Sequence, residues 1–544
     1  MTSVGSTTMR ALALSLITIS SASAGGSPGV LQCQNVRLNA PLAPEEEIAG
    51  FQVALDGTDR VVFLADVVLD DEFDALTVPQ DGSAPPTLFD INRIPGRFLN
   101  AFPQIASATE RAVIIGDFET LDVDEIFSVT TATGGGPLTK LNSTLVNEGD
   151  IRSFSISPDD NTVVYLADQD VDRREELYRV PINGGEVLKL NGPLQTSRSV
   201  ERDFEITSNS EYVIFRAEEI SFVRDLFSAE LESGNRVQLN ENADNRGTVS
   251  EFQVSPDGTT VVYQANQETD NRFELFRVPV AGGTPIKVNG PEVESDVREY
   301  AISPDSSLVV YLISRASGNT FVAELWAAPL AGGTPFHLTS AISINSVRGF
   351  EFTPDGSLVV FDAEFDNSRE IMTVPISGGT VNRISGSPAQ IGFASEFAIS
   401  PDGQRVAYRA LGSDGTTSLR TTTIAGAMDR SLTGTSVVNG GIRDFEITPD
   451  SLQLVFTGDF LTDGQQELFA VSLTTSGPVR RINRPLPEGA EVRSSGGDDF
   501  QQSLDGQRVV YIADQNTAGV KELFSADIRC DDLFADSFEA TDGG

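Results

Sequence analysis

The chain has 544 residues, of which 39% are hydrophobic, so it contains enough apolar side chains to bury a core. Its 79 acidic residues outnumber 38 basic ones and give a formal net charge of −41 at pH 7. A surface of this charge repels nucleic acid and anionic lipid, so we expect neither as a partner.

The first 24 residues have the pattern of a secretory signal peptide. Arg10 supplies a positive charge, residues 11–19 form a short apolar run, and the Ala-Ser-Ala of residues 22–24 matches a cleavage site. The run is too short to span a bilayer, and no later stretch reaches 18 apolar residues. We therefore predict an exported protein without a transmembrane segment, in the periplasm, at the cell surface or outside the cell. An uncleaved anchor is the alternative.

Residues 25–530 contain about ten copies of one repeat. Each copy combines Phe-x-Ile-Ser-Pro-Asp-Gly, Val-Val-Tyr-x-Ala-Asp, Glu-Leu-Phe-x-Val-Pro, Gly-Gly and Lys-Leu-Asn-Gly-Pro. β-branched and aromatic runs separated by Pro-Asp-Gly and Gly-Gly turns predict four short strands per repeat, which we name a to d. Four strands in about 50 residues indicate a propeller blade. The third residue of the Val-Val-Tyr element lies at Phe63, Ile114, Tyr165, Phe215, Tyr263, Tyr311, Phe361, Tyr408, Phe456 and Tyr511.

The Ser-Pro-Asp-Gly turn followed by a Val-Val-Tyr strand, as in residues 255–263, resembles the repeat of TolB-like, or WD-like, propellers. The resemblance covers nearly the whole chain after the signal peptide. It implies an all-β propeller of about ten four-stranded blades. TolB-like proteins act in envelope complexes, so the resemblance also implies a similar binding role, although this fold serves many functions.

We expect the ring to close through the N-terminus. The last repeat ends after strand c, at residues 522–528, whereas residues 36–42 match strand d of the third repeat, residues 188–194. An N-terminal strand in the last blade leaves no open sheet edge. Cys33 and Cys530, the only cysteines, flank these strands, so we predict a disulfide between them. The alternatives are two five-bladed rings in tandem and two free thiols.

A charge pattern recurs along strands a and b. In five repeats an arginine stands two residues before the strand a aromatic, and four of these have a carboxylate sixteen residues later. Antiparallel pairing places such residues opposite each other and predicts structural ion pairs, whereas a carboxylate ring for calcium or a basic partner is the alternative. The predicted pairs are Arg152 with Asp168, Arg202 with Glu218, Arg348 with Glu364 and Arg443 with Asp459.

Asp168, Asp170, Asp172 and Glu175 alternate along one predicted loop, as acids do at the start of calcium-binding loops. The loop lacks the Gly of the full motif and lies between strands, which favours a solvated hairpin tip. We expect no required cofactor, with calcium at these four residues as the alternative.

Catalytic motifs are scarce. The single histidine, His337, begins a predicted strand d, and the one Gly-x-Ser-x-Gly match, residues 25–29, follows the cleavage site rather than a strand. We predict a non-catalytic, monomeric binding or scaffold protein that contacts protein or glycan partners. The alternatives are a carboxylate- or calcium-dependent hydrolase or lyase acting on polysaccharide, and a calcium-stiffened surface protein. Residues 531–544 form an acidic tail, either frayed or used for sorting.

Overall fold

The computed structural model describes residues 35–42, 46, 48–54, 59–69, 72–88, 103–106, 108–131, 137–195, 198–219, 223–241, 247–269, 272–290, 296–317, 320–340, 346–365, 368–387, 391, 393–412, 415–434, 441–493 and 500–529. The predicted signal peptide, Cys33, Cys530 and the acidic tail lie outside these residues. Across the described part of the chain, no helix combines the length and the apolar character needed to cross a membrane.

The described strands form ten antiparallel sheets, one for each predicted repeat, which confirms the propeller fold. Blades 1 to 5 contain β2 Ile48–Val53, β3 Arg60–Leu69, β4 Glu72–Pro79, β5 Thr87–Leu88; β6 Gln104–Ala106, β7 Arg111–Gly116, β8 Glu125–Thr130, β9 Thr139–Lys140; β10 Ile151–Ile156, β11 Thr162–Ala167, β12 Glu176–Pro181, β13 Leu188–Lys189; β14 Val200–Ile206, β15 Tyr212–Ala217, β16 Asp225–Glu230, β17 Arg236–Gln238; and β18 Val249–Val254, β19 Thr260–Ala265, β20 Glu274–Pro279, β21 Ile286–Lys287.

Blades 6 to 9 repeat this order, and in blade 10 the strand a position is divided between two short strands. The bounds are β22 Val297–Ile302, β23 Leu308–Ser317, β24 Thr320–Pro329, β25 Phe336–His337; β26 Ser346–Phe352, β27 Leu358–Phe365, β28 Ser368–Pro375, β29 Asn382–Arg383; β30 Phe393–Ile399, β31 Arg405–Leu411, β32 Thr417–Thr423, β33 Arg430–Ser431; β34 Ile442–Ile447, β35 Gln453–Gly458, β36 Glu467–Ser472, β37 Arg480–Arg481; and β38 Val492–Arg493, β39 Phe500–Gln502, β40 Arg508–Ala513, β41 Glu522–Asp527, with β1 Asn35–Arg37 at the edge of blade 10.

The repeated Ser-Pro-Asp turn holds strands a and b together through side-chain hydrogen bonds. In blade 3 the hydroxyl of Ser157 donates to Asp159 Oδ1 at 2.5 Å, and the Thr162 N–H donates to the same hydroxyl at 2.9 Å. Ser157 is buried, whereas Asp159 lies on the exposed surface of the turn. These two bonds explain why a hydroxyl residue and a carboxylate are kept two positions apart in the repeat.

The asparagine of the Lys-Leu-Asn-Gly-Pro element fastens strand d to strand c. In blade 3 the Leu177 N–H donates to Asn191 Oδ1 at 2.8 Å, and the Asn191 amide donates to the Gly192 carbonyl oxygen. These bonds fix a strand of only two residues, which has too few ladder bonds to hold itself. The same bond to the strand c backbone is made by Asn142, Asn240, Asn289 and Asn483.

The N-terminal strand closes the ring as strand d of blade 10. β1 pairs antiparallel with β41, with Asn35 opposite Ala526 and Arg37 opposite Phe524. Asn39 Oδ1 accepts the Leu523 N–H at 2.8 Å, which is the bond that each strand d asparagine makes in its own blade. The predicted closure is therefore confirmed in its strand pairing and in its side-chain contacts.

One ring of ten blades accounts for the whole hydrophobic core, and two rings of five do not. Among the described residues the core forms ten clusters, and nine of them each join two blades that are consecutive in the chain. The remaining cluster joins blade 10 to blade 1, with Leu38, Phe51 and Val510 among its members. Blades 5 and 6 share a core through residues such as Leu275 and Tyr311, where tandem rings would have a break.

Candidate functional site

The two faces of the ring differ in how much their connections vary. Five residues separate strands a and b in blades 3 to 10, so the face with the a–b and c–d turns, here called the turn face, is uniform. The b–c and d–a connections form the opposite face, here called the loop face. There β23 and β24 of blade 6 are ten residues long and only two residues apart, whereas eight residues separate β11 from β12. Variable connections on a rigid scaffold are where binding surfaces are expected.

A β-bulge at the start of strand a directs one side chain out of the loop face in most blades. In blade 3 the pairing register shifts between Ile151 and Ser153, so Arg152 is the extra residue. A bulge bends the strand and re-aims the side chain it carries. Arg152, Arg348 and Arg443 occupy such bulges and are exposed, as does Arg298 of blade 6, the one arginine of the five that has no carboxylate sixteen residues later.

Two of the predicted arginine–carboxylate pairs are in contact. Arg152 Nη2 lies 3.5 Å from Asp168 Oδ2, and Arg348 Nη2 contacts Glu364 Oε1. Arg152 also lies 3.2 Å from Asp150 and 3.9 Å from Glu175, so it is shared among three carboxylates. Because both arginines are partly exposed, such pairs contribute about 0.2–1 kcal/mol each.

In blade 4 the partners differ from those predicted. Arg202 donates to Glu175 of the preceding blade at 2.7 Å, and Glu218 is bound by Arg198 at 2.9 Å. The bulge here is longer, because the register shifts between Val200 and Phe204. This displacement turns Arg202 toward blade 3, which sequence spacing alone does not reveal.

The aspartate at the end of strand b mainly fixes the backbone of the loop face. Asp168 accepts the Asp150 N–H at 2.7 Å and the Arg173 N–H at 3.0 Å, and so joins the d–a connection to the b–c connection. Asp514 accepts equivalent bonds at 2.6 and 2.8 Å in blade 10. Asp459, the predicted partner of Arg443, likewise accepts backbone N–H groups from both connections. These carboxylates therefore serve the fold.

A second set of carboxylates, buried at the start of strand c, is paired with cations on strand d. Glu176 lies 2.6 Å from Lys189 and is 2% exposed, so it would be an uncompensated buried charge without its lysine. In blade 10 the cation comes from the N-terminal strand, since Arg37 lies 2.7 Å from Glu522. This pairing was not predicted, although Glu and Lys recur in the repeat. The same contact joins Glu125 to Lys140, Glu274 to Lys287, Glu370 to Arg383 and Glu467 to Arg481.

Each of the four acids of the predicted calcium loop contacts a basic side chain or a backbone N–H, and Asp172 lies 3.8 Å from Arg173. Asp170 lies 3.0 Å from Lys189, Glu175 is bound by Arg202, and Asp168 accepts the backbone bonds described above. Within the described residues, no group of three or more His, Cys, Asp or Glu side chains is arranged to hold a metal ion. The loop therefore does not assemble these oxygens around one point.

Three carboxylates on the innermost strands have no partner. Glu251, Glu299 and Glu351 belong to strand a of blades 5, 6 and 7, are exposed, and make no hydrogen bond or ion pair within the described residues. Desolvation raises the pKa of Glu299, and the negative charge of Glu251 raises it further. Desolvation also raises the pKa of Glu351. We call Glu251, Glu299 and Glu351 the acidic lip, because strand a lines the centre of a propeller.

Blade 4 supplies a neighbouring carboxylate that is only partly satisfied. Glu205 Oε2 accepts the Val254 N–H of blade 5 at 3.1 Å, and desolvation raises the pKa of Glu205. The bond caps an edge N–H that strand a cannot pair within its own sheet. Negative charge therefore accumulates on adjacent inner strands from blade 4 to blade 7.

The single histidine has a structural position. His337 on β25 stacks on Trp326, with ring centroids 4.9 Å apart and an interplanar angle of 3°, and bonds Thr339 at 2.9 Å. It occupies the strand d position that Lys189 occupies in blade 3, where the lysine lies over the ring of Tyr178. His337 thus replaces a repeated cation and lies on the outer strand, away from the acidic lip.

No protein-family model and no curated protein matches the chain. Among solved structures, a eukaryotic initiation factor is 11% identical over 76% of this chain and 94% of that chain, with a TM-score of 0.47. A putative TolB from Agrobacterium tumefaciens is 16% identical over 53% and 95%, with a TM-score of 0.28. A prolyl endopeptidase is 12% identical over 67% of this chain, with a TM-score of 0.37, and this chain spans 54% of its length. Such distant similarities assign no family, so function is argued from the site.

Proposed function

We propose that the protein is an exported, non-catalytic binding propeller whose acidic lip engages a basic segment of a protein partner. The observation that carries the proposal is the unpaired state of Glu251, Glu299 and Glu351 among the described residues. Elsewhere in the repeat, carboxylates such as Glu176 are neutralised within their own blade. Charge left uncompensated on three successive blades is available to a ligand.

The pKa shifts indicate that the lip is held in an unfavourable state. A raised carboxyl pKa means that the charged form is less stable in the folded protein than in water. The pKa of Glu299 is raised first by desolvation and then by the charge of Glu251. Part of the destabilisation of the charged form therefore comes from a like charge on the preceding blade. A cationic group of a ligand between Glu251 and Glu299 relieves the repulsion between their carboxylates, which persists when no ligand is bound.

The arrangement favours an extended basic segment over a single ion. The lip residues come from strands β18, β22 and β26, one per blade; Glu251 and Glu299 directly follow the bulges of their strands, and Glu351 lies two residues further along its strand. The three carboxylates are therefore spread over three neighbouring inner strands. The net charge of −41 adds a long-range attraction for basic partners, which raises the rate of encounter at low ionic strength. The predicted signal peptide supports an encounter in the periplasm, at the cell surface or outside the cell.

Binding of fluorescent oligolysine by anisotropy tests the proposal. The lip variant carries Glu251→Gln, Glu299→Gln and Glu351→Gln, and we expect it to bind several-fold more weakly than the wild type. A matched control changes three exposed glutamates of the turn face, Glu110, Glu186 and Glu232, to Gln and so alters the net charge equally. Equal weakening in both variants would attribute binding to net charge alone and contradict the proposed site.

A polysaccharide-turnover assay separates the proposal from the enzymatic alternative. Wild-type and lip-variant protein are incubated with acidic and neutral polysaccharides, and new reducing ends and unsaturated products are measured. We expect no turnover by either protein. Turnover by the wild type that is lost in the lip variant would overturn the binding proposal in favour of a carboxylate-dependent hydrolase or lyase.

A further inference from the structure

One bulge arginine, Arg298, lacks the carboxylate that Arg152 and Arg348 contact. Arg298 occupies the bulge of blade 6, where the register shifts between Val297 and Glu299. It is exposed and makes no ion pair or hydrogen bond within the described residues. By contrast, Arg348 in the same position of blade 7 contacts Glu364 of its own blade.

The reason lies at the end of strand b. The position that supplies Glu364 in blade 7 is occupied by Ser314 in blade 6. Because Val297 pairs with Ile313, the bulged Arg298 is brought next to Ser314, as the equivalent register brings Arg152 next to Asp168. The Ser314 hydroxyl is shielded from solvent and has no hydrogen-bond partner. The Arg298 guanidinium therefore lacks the carboxylate that its equivalents Arg152 and Arg348 contact in blades 3 and 7.

We infer that Arg298 forms a carboxylate subsite that a bound polypeptide fills with an Asp or Glu side chain. The inference rests on the proposed function, because the same polypeptide occupies the acidic lip. A guanidinium can donate two parallel hydrogen bonds to a carboxylate, as Arg202 donates to Glu175 at 2.7 and 3.3 Å. The ligand thus provides the carboxylate that blades 3 and 7 provide for themselves.

The surrounding charge selects a peptide over an acidic polysaccharide. Arg298 is adjacent in sequence to Glu299 and lies between the lip strands of blades 5 and 7. A polymer with a carboxylate on every unit meets repulsion from Glu251, Glu299 and Glu351. A segment with one acidic side chain between basic ones meets a favourable partner at each position. The matching ligand is therefore a basic peptide with an internal Asp or Glu.

A thermodynamic cycle with two synthetic peptides tests the subsite. The peptides are Lys-Lys-Asp-Lys-Lys and Lys-Lys-Asn-Lys-Lys, both acetylated, amidated and fluorescently labelled, and the full-length proteins are wild type, Arg298→Ala and Arg348→Ala. We expect the wild type to bind the Asp peptide about two- to fivefold more tightly than the Asn peptide after correction for peptide charge, as suits a partly exposed ion pair. The correction is the same Asp-to-Asn ratio measured on Arg298→Ala, which reports the effect of peptide charge alone. Arg348→Ala should retain the preference.

The outcomes separate this inference from the proposed function. If the wild type binds neither peptide, the proposed function fails. If it binds both, and the Asp-to-Asn ratio is the same in the wild type and in Arg298→Ala, the acidic lip stands and the subsite is overturned, because Arg298 is then neutralised by its own chain. Loss of the preference in Arg348→Ala as well would also overturn it, since the effect would then belong to net charge.

Discussion

Replacing Leu38 by Ala tests whether the N-terminal strand holds the ring closed. Leu38 follows β1 and is 2% exposed in the cluster that joins blade 10 to blade 1. Leu190 is its equivalent after strand d of blade 3, is 1% exposed, and belongs to the cluster between blades 3 and 4. The pair provides a matched comparison, because only Leu38 is separated in sequence from the blade that it completes.

The expected loss of stability is the same at both sites. Truncating a buried leucine removes its transfer free energy and leaves a cavity, and this costs about 2–5 kcal/mol. Both leucines are almost fully buried and occupy the same place in the repeat, so we expect each alanine to lower the free energy of unfolding by about 3 kcal/mol. Leu38→Ala also weakens the support of Asn39, whose side chain bonds the Leu523 N–H.

The measurement is equilibrium unfolding in urea, followed by tyrosine fluorescence and circular dichroism, with thermal midpoints as a second readout. A chain of this length need not unfold in two states, so the midpoints of the two variants are compared directly. An unchanged midpoint for Leu38→Ala beside a lowered one for Leu190→Ala would refute the closure. A similar fall in the midpoints of both variants supports a ring in which the junction of blades 10 and 1 is as stable as the other junctions between blades.

Two further predictions concern the acidic lip and the chain ends. Glu299→Gln should raise stability at pH 7 by less than about 1 kcal/mol, since the side chain is partly solvated. Because the pKa of Glu299 is raised in the folded protein, the charged side chain lowers stability fully above that pKa, and this effect fades as the pH falls through it. The stability gained by Glu299→Gln should therefore vanish near pH 4. An equal gain at pH 7 and pH 4 would contradict this origin. Separately, Cys33 and Cys530 should show no free thiol in denatured, unreduced protein. Reducing the disulfide should lower the free energy of unfolding by up to about 5–6 kcal/mol, seen as a lower unfolding midpoint. Two titratable thiols without reductant would disprove the bond.

The sequence predicts the fold of this protein well because each blade repeats the same turn and strand motifs. Pro-Asp-Gly turns and β-branched runs specify four strands, and ten repetitions specify the blades. The closure is also readable, since the segment around Leu38 copies the segment around Leu190. The repeat alone does not decide between one ring of ten blades and two rings of five, because that choice depends on which blades share a hydrophobic core. The cluster across blades 5 and 6 decides it.

The site is less predictable, because side-chain partners depend on local register shifts that differ from blade to blade. Arg202 was matched with Glu218 by spacing, yet the longer bulge in blade 4 turns it to Glu175. The buried pair of Glu176 and Lys189 was missed for a related reason. Glu176 lies on strand c and Lys189 on strand d. Because strand d has only two residues, its sequence is too short to predict which strand c residues it pairs with.

Repetition also provides a way to separate side chains that serve the fold from those that do not. A contact needed by every blade should recur, as the asparagine bond to strand c and the strand c ion pair do. The acidic lip and Arg298 depart from this pattern, because these charged side chains of blades 5 to 7 make no ion pair within the described residues. Like-charge repulsion between Glu251 and Glu299 gives the folded chain no benefit. A ligand of alternating charge gives all of these departures one physical reason.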